Sequence, residues 1–281
     1  MLLVDKPAGI TSHDVVHRVR RALGERSVGH TGTLDPFATG LMVVLVGRAT
    51  RLARFTDGLS KVYRATLQLG ARTETDDATG APVEERVPAT WPDEASVNAV
   101  LRRFVGPQRQ RPPAYSAKKV AGVRSYRLAR RGETVELPEV EVTVHALACL
   151  GWAPPRLDFR ADVSTGTYIR ALGRDIAVAL GTVGHLSALR RERIGSIDVA
   201  EAVALDAVSR DGPLRPMGLL VARFPRLALD EAGFDAVRHG RRIPAPAGLS
   251  GTVALWRGED VVAMGEVREG DVQPLVVLEA A

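Results

Sequence analysis

The chain has 281 residues, of which 45% are hydrophobic and 25% are charged, and its formal net charge at pH 7 is +5. These values are typical of a soluble globular protein with a sizeable core, and no apolar run is long enough for a membrane span. The single cysteine, Cys149, excludes an intramolecular disulfide and a multi-cysteine zinc site, and we see no export signal before Asp5 and Pro7. We therefore expect a cytoplasmic protein.

Short strands and helices alternate in the first part of the chain. Strands are predicted at 2–4, 41–47 and 61–70, and helices at 11–24 and 94–105. The run 41–47 is continuously apolar, which indicates a strand covered on both faces. The segment 61–70 alternates instead, and this pattern places Tyr63 on its apolar face.

The middle of the chain is basic. Residues 116–132 carry six cations and no acid, interleaved with tyrosine, which indicates either a surface that tracks phosphates or a solvated charged face; the six are Lys118, Lys119, Arg124, Arg127, Arg130 and Arg131. This segment reads mostly as loop, with a short helix near 125–131. Of the 38 cationic residues only four are lysines, so lysine marks positions where arginine does not substitute freely.

The last third begins with an alternating strand at 156–163, followed by a helix that contains Arg170 near its start. Residues 211–218 are the best linker candidate. Beyond the linker, short strands separated by Gly-Glu-Asp turns are typical of a small β-barrel. The sequence therefore predicts a mixed α/β domain with a small all-β domain after it.

Three common catalytic patterns fit poorly. In "HDVVH", His13 and His17 have zinc-ligand spacing, but the acid between them is aspartate and no third ligand is evident, so solvent-facing histidines are favoured. "GHTGTLDP" lacks the lysine of a phosphate-binding loop. The chain also lacks the GxSxG turn of serine hydrolases.

Asp35 is a stronger candidate because it lies in a loop rich in glycine and threonine directly before a buried strand. On these residues alone, an Asp–Pro turn whose carboxylate caps local amides remains the favoured interpretation. Arg170 opposes the macrodipole at its helix start, so an anionic partner is expected. An aspartate, an arginine that favours its ionised form and the Tyr63 ring would together suit a flat, polar substrate.

Several long segments, in a fixed order over about residues 2–196, resemble the bacterial tRNA pseudouridine synthase B (TruB) family, the tRNA pseudouridine-55 synthases. They are "VDKPAGITSHDVVHRVRR", "GHTGTLDPFATGLMVVLVGRATR", "KVYRATLQLGARTETDDATG", "RPPAYSAKKVAGVRSYRLARRG", "STGTYIRALGRDIA" and "GHLSALRRERIG". Residues from about 223 resemble a shortened PUA domain, a small RNA-binding β-barrel. The resemblance implies an α/β (α+β) fold: a mixed, largely antiparallel central sheet with flanking helices, followed by the PUA-like barrel.

The resemblance implies isomerisation of the uridine at position 55 of the tRNA T-loop to pseudouridine, after base flipping and without a cofactor or metal. Asp35 matches the family's catalytic aspartate, which either attacks C1′ of the ribose or removes a proton from C2′. Tyr63 matches the residue that stacks on the base, and Arg170 the partner of the catalytic carboxylate. His30 matches the histidine that holds the flipped conformation, and Leu189 an apolar residue of the pocket.

The resemblance also sets expectations for domains and partners. The catalytic domain is expected at 1–222, with an RNA-gripping segment at about 108–140 that includes the six cations, and the PUA-like domain at 223–281. The partner implied is the T-arm stem-loop of tRNA, with no membrane and no protein partner, and we expect a monomer.

Two other functions remain open at this stage. One is a non-catalytic protein that binds or folds tRNA, which intact Asp35, Tyr63 and Arg170 argue against. The other is a carboxylate glycosidase, which would need a second essential acid near Asp35.

Overall fold

The computed structural model describes residues 1–115, two short strands at 119–120 and 123–124, and residues 137–278. In these residues the α-helices are α1 (Ser12–Leu23), α2 (Glu94–Arg103), α3 (Ile169–Ala179) and α4 (Glu231–Arg238). The strands up to Arg124 are β1 (Leu2–Lys6), β2 (Val28–His30), β3 (Thr39–Val46), β4 (Lys61–Leu69), β5 (Ala71–Thr73), β6 (Pro82–Glu85), β7 (Gly106–Gln110), β8 (Lys119–Val120) and β9 (Val123–Arg124). Those that follow are β10 (Val140–Ala153), β11 (Arg156–Val163), β12 (Gly184–Ile194), β13 (Ile197–Asp198), β14 (Val203–Ala204), β15 (Arg226–Ala228), β16 (Ile243–Pro244), β17 (Thr252–Arg257), β18 (Asp260–Arg268) and β19 (Asp271–Val277).

A large central sheet organises the first part of the molecule. Its strand order is β14-β1-β3-β12-β4-β11-β10-β7, and β2 and β13 pair at its side with β3 and β12. The pairs β1–β14 and β3–β12 are parallel, whereas the pairs from β12 through β4, β11 and β10 to β7 are antiparallel. This arrangement confirms the predicted mixed, largely antiparallel sheet with flanking helices.

Helix α1 shows how local sequence sets its ends. Thr11 is the N-cap: its hydroxyl accepts a hydrogen bond from the amide of Asp14 at 3.1 Å, and the Asp14 carboxylate accepts from the amide of Thr11 at 2.9 Å. This capping box satisfies two of the amides that the first turn leaves unpaired. Gly24 ends the helix with φ = 65°, a left-handed conformation that glycine adopts without steric cost.

Strand β3 is covered on both faces, as its continuous apolar sequence predicts. Met42 and Val44 pack into the cluster that α1 and α3 form on one face of the central sheet. The alternate residues Leu41, Val43 and Leu45 pack into a second cluster on the other face.

The second cluster joins the two parts of the molecule. A separate sheet in the order β15-β17-β18-β19-β16 follows the central sheet in the chain. From it, Ala254, Val261 and Met264 pack in the same cluster as Leu3 and Leu41 of the central sheet. The curled form of this sheet is consistent with a PUA-like domain. No helix in the described ranges is long and apolar enough to cross a membrane.

Candidate active site

A cavity of about 400 Å³ opens at one edge of the central sheet. Its wall includes the loop before β3, the start of β4, the loop before α3, and Leu189 and Arg191 of β12. The five residues assigned to the site from the sequence all line this cavity: His30, Asp35, Tyr63, Arg170 and Leu189. Long-range folding therefore brings together side chains that lie up to 159 positions apart in the chain.

The loop that carries Asp35 is fixed from below by buried polar groups. The hydroxyl of Ser12 donates to the carbonyl of Leu34 at 3.0 Å and accepts from the amide of Leu34 at 2.8 Å. The fully buried Lys6 ammonium donates to the carbonyl of Pro36 at 3.2 Å. Burial lowers the pKa of Lys6 to about 8, although the negative charge of Asp35 opposes this shift. The main chain on both sides of Asp35 is thus held before any substrate binds.

Asp35 and Arg170 form a bidentate ion pair. Arg170 Nε donates to Asp35 Oδ2 at 2.9 Å, and Arg170 Nη2 donates to Asp35 Oδ1 at 3.1 Å. The Arg170 side chain is only 4% exposed, whereas that of Asp35 is 34% exposed and reaches the cavity. In the described residues the carboxylate accepts from Arg170 and not from the amides of its own turn, so the capping arrangement expected of an Asp–Pro turn is not what the structure shows.

Arg170 is itself held by groups that the sequence reading did not identify. Its Nη1 donates to the carbonyl of Thr75 at 2.7 Å, and its Nη2 donates to the carbonyl of Tyr115 at 2.9 Å. A second carboxylate, Asp77 Oδ2, lies 3.5 Å from Arg170 Nη1 and is buried. Asp77 in turn accepts from the amide of Thr79 at 2.9 Å. The segment "TETDDATG" therefore holds the Arg170 guanidinium on the side away from the cavity.

A second arginine supports the same turn. Arg174, one helical turn after Arg170, places its Nη1 3.2 Å from Asp76 Oδ2. Burial raises the pKa of Asp76, and Arg174 opposes that rise. The carbonyl of Asp76 accepts from the amide of Leu186 at 3.0 Å, which attaches the turn to β12. The spacing of four between the two arginines was the signal that could have suggested a shared acidic turn.

Tyr63 and Leu189 form the apolar part of the wall. Both residues are buried, and they lie on the adjacent strands β4 and β12, where Ala65 pairs with Leu189 and Tyr63 with Arg191. Side chains two apart on a strand share one face, so the Tyr63 ring and the Leu189 side chain present neighbouring apolar surfaces to the cavity.

His30 ends β2 at the rim of the cavity. The amide of Gly32 donates to His30 Nδ1 at 3.2 Å, so the neutral ring carries its proton on Nε2. Burial lowers the pKa of His30, and the positive charge of Arg191 lowers it further. Both effects favour the neutral form of His30.

Arg191 is a further residue of the cavity wall that the sequence did not reveal. It is fully buried, and it donates to the carbonyls of Leu41 at 2.7 Å, Gly32 at 3.1 Å and Thr33 at 3.4 Å. These bonds connect β12 to the loop that precedes Asp35. A buried cation whose partners among the described residues are carbonyl groups gives the loop a fixed shape and adds positive potential to the cavity.

The basic segment lies largely outside the described residues. The predicted helix near 125–131 falls there, and of the six candidate cations so do Lys118, Arg127, Arg130 and Arg131. For Lys119 and Arg124 the structure gives only the backbone of the paired strands β8 and β9. The role of these six residues in RNA binding therefore stays a prediction.

No metal site is evident in the described part of the chain, where no group of three or more histidine, cysteine, aspartate or glutamate side chains could hold an ion. His13 and His17 are exposed, and their Nε2 atoms lie 3.0 Å apart. The preference for solvent-facing histidines is in agreement with this exposure.

Known proteins with similar sequences identify the family of this chain. The family model described as TruB family pseudouridylate synthase (N terminal domain) matches residues 20–169. The tRNA pseudouridine synthase B of Thermobifida fusca is 48% identical over 287 residues, which span 99% of this chain and 97% of that protein. The chain belongs to the TruB family. Its TruB-family relative from Aquifex aeolicus, also named tRNA pseudouridine synthase B, is 40% identical and is matched over 97% of each chain.

A solved structure extends this TruB-family likeness to the whole fold. A chain in the crystal structure of a Cbf5-Nop10-Gar1 complex superposes with a TM-score of 0.76 at 26% identity, covering 99% of this chain and 84% of that one. The superposition includes the C-terminal sheet and supports its PUA-like assignment.

Proposed function

We propose that this protein converts the uridine at position 55 in the T-loop of tRNA to pseudouridine, with Asp35 as the catalytic carboxylate. Membership of the TruB family supports the general activity, the isomerisation of uridine to pseudouridine in tRNA, without specifying the position. The observation that supports the residue assignment is the bidentate Asp35–Arg170 pair, which faces an open cavity beside the Tyr63 ring. A non-catalytic tRNA-binding role is not favoured, because these groups converge on one site.

The cavity suits a nucleotide that has left its stack. Flipping a base out of a stacked RNA loop costs a few kcal/mol, and stacking on an aromatic side chain returns about 1–3 kcal/mol. Tyr63 offers such a ring, and Leu189 offers the apolar contact beside it. A neutral His30 at the rim can occupy the space that the base leaves without adding charge. The uracil and ribose then lie next to the Asp35 carboxylate.

The chemistry requires one carboxylate and a place for the uracil to turn. The bond between uracil N1 and ribose C1′ breaks, the base rotates, and a bond forms between C5 and C1′. The proton on C5 is lost and N1 gains a proton, so no atom is added and nothing is oxidised. Asp35 either attacks C1′ or removes the C2′ proton to give a glycal. Arg170 fixes both carboxylate oxygens for either role.

Binding of the T-arm is proposed to use the segment 108–140 and the charge of the catalytic part. Residues 1–222 carry 31 lysines and arginines against 24 acids, whereas residues 223–281 carry 7 against 9. The positive potential that attracts RNA therefore belongs to the first part. We propose these ranges as the catalytic and PUA-like domains of a cytoplasmic monomer.

The test is pseudouridine mapping on tRNA treated with the unmutated protein and with Asp35→Asn. The unmutated protein should modify position 55, and Asp35→Asn should abolish the product while RNA affinity and thermal stability persist. Asp158→Asn is a matched control: it is the same change on β11, where the carboxylate accepts from Thr66 on the opposite side of β4 from Tyr63. Product at another position would reject the assignment of position 55, and an active Asp35→Asn would reject the role of Asp35.

A further inference from the structure

Lys61 lies in the wall of the same cavity and has no role in the chemistry described above. It begins β4 two residues before Tyr63, so both side chains are directed to one face of the sheet. Its ammonium donates to the hydroxyl of Thr165 at 3.1 Å and to the carbonyl of Leu59 at 3.3 Å. Gly32 borders the side chain: a Cβ at that position would lie 3.8 Å from Lys61 Cε.

The cations of the cavity differ in what already satisfies them. Arg170 is paired with Asp35 and Asp77, and the fully buried Arg191 donates to three backbone carbonyls. Lys61 contacts only neutral oxygens, and in the described residues no carboxylate forms an ion pair with it. An ammonium group has three N–H donors, so one is left for a ligand.

The charged groups near Lys61 indicate which ligand it would bind. Burial, together with the positive charge of Arg191, lowers the pKa of Lys61 to about 8, and the negative charge of Asp57 opposes the shift. At pH 7 the group is still mostly protonated, but it is poorly compensated. An anion that entered the cavity would supply the missing charge and favour the protonated form.

Thr165 supplies a second donor at the same place. Its hydroxyl oxygen accepts from Lys61, so the hydroxyl hydrogen is available to a bound group. Thr165 lies in the loop 164–167 between β11 and α3, and Gly166 in that loop has φ = 85°. A substituted residue at 166 would be strained, which leaves this side of the cavity lined by small groups.

We propose that Lys61 and Thr165 bind a non-bridging oxygen of a phosphate that flanks the flipped uridine. This inference rests on the proposed function, because it assigns the backbone of the same RNA substrate. A flipped nucleotide brings its own phosphates to the cavity, and an ammonium and a hydroxyl on neighbouring elements form a suitable site for one of them. Lys61 is thereby a substrate-positioning residue, since it holds the ribose at a fixed distance from Asp35.

The first experiment measures equilibrium binding of T-arm RNA in the Asp35→Asn background, which leaves the RNA unchanged. Lys61→Met should weaken binding roughly tenfold and reduce the slope of log affinity against log salt by about 0.7–0.9, the value for one phosphate contact. Arg64→Met is the matched control: it removes an exposed cation three positions later on the same strand, on the face opposite Tyr63, and should leave affinity unchanged. In the active protein, Lys61→Met should raise KM more than it lowers kcat.

The second experiment identifies the phosphate. RNAs carrying an uncharged methylphosphonate at either phosphate beside the target uridine are compared with unmodified RNA. One of the two should bind the Lys61 protein about tenfold more weakly and should lose no further affinity for Lys61→Met. An unchanged salt slope, or additive effects at both phosphates, would overturn the proposal. Should Lys61→Met not fold, full affinity of the Lys61 protein for both modified RNAs would overturn it equally. Absence of pseudouridine formation by the unmutated protein is a separate readout that rejects the proposed function alone.

Discussion

Replacing Asp77 by asparagine removes the second negative charge beside Arg170 and keeps the volume of the side chain. Asp77 Oδ2 lies 3.5 Å from Arg170 Nη1, and both side chains are almost fully buried. At an effective dielectric constant of about 20, the attraction across that distance is about 5 kcal/mol. The variant keeps the bidentate pair between Arg170 and Asp35 and removes the repulsion between the two carboxylates. The net loss of stability is therefore smaller. We expect the free energy of unfolding to fall by about 1–3 kcal/mol.

The rate should fall as well, because Asp77 restrains the arginine that orients Asp35. A loss of about 1.4–2.8 kcal/mol from the transition state corresponds to a decrease in kcat of about 10- to 100-fold, with KM little changed. Single-turnover kinetics at saturating RNA and a thermal melt on the same preparation separate rate from stability.

Asp76→Asn is the matched control for this variant. It is the same change one residue earlier, at a buried carboxylate whose ion pair is with Arg174, and asparagine tolerates its φ of 57°. We expect it to retain most of the rate. Equal rate losses in both variants would mean that the turn as a whole, rather than the charge next to Arg170, supports the site. A normal rate in Asp77→Asn would refute the positioning role.

Three further outcomes are expected. Gly40→Ala should lower the free energy of unfolding by more than about 2 kcal/mol, because Gly40 has φ = 104° and a Cβ there would lie 2.3 Å from the carbonyl oxygen of Arg191. A denaturant titration measures this loss, and Gly181→Ala is the control, since Gly181 has φ = 79° but open space around it. Tyr63→Phe should keep RNA affinity and lower kcat, since the stacking ring remains and the hydroxyl is lost. RNA affinity should fall as pH rises above about 8, because Lys61 then loses its proton in the RNA-free protein and binding of the phosphate requires the uptake of a proton. An equal fall in affinity for Lys61→Met would contradict this.

Much of the fold follows from periodicity and capping. The strands at Leu2–Lys6, Thr39–Val46 and Arg156–Val163 and the helix at Ser12–Leu23 lie where alternation, apolar runs and helix caps predict them. The reason is that each of these signals is local, acting within one turn of helix or one strand.

Strand β12 was not predicted from its sequence, although it is central to the sheet. "GHLSALRRERI" carries three arginines, which favour an exposed segment. In the folded chain each has a partner from elsewhere: Arg190 pairs with Asp5, Arg191 donates to backbone carbonyls and Arg193 pairs with Asp162. Charged residues can occupy a central strand when distant groups compensate them, and that compensation is invisible in a local pattern.

The residues of the site also differ in whether a local sequence signal could reveal them. Arg170 could be suspected because a cation at a helix start needs an anion, and Asp35 because of its loop. Lys6 and Asp77 could not, since the groups that connect them to the site, the Pro36 carbonyl and Arg170, lie 30 and 93 positions away. The resemblance to a known family identified five residues that line the cavity. The groups that hold those residues from behind required the structure.

The hydrophobic cluster shared by the two sheets has a consequence for how this chain can vary. Leu3, Leu41, Val43 and Leu45 share one buried cluster with Leu52 and Phe55 of the segment 47–55 and with Ala254, Val261 and Met264 of the C-terminal sheet. Removing that sheet would expose part of this apolar cluster to water. The C-terminal sheet therefore contributes to the same hydrophobic core as the central sheet. Its excess of acids over arginines is compatible with that duty, because a cover for a core needs shape and apolar contact rather than positive charge.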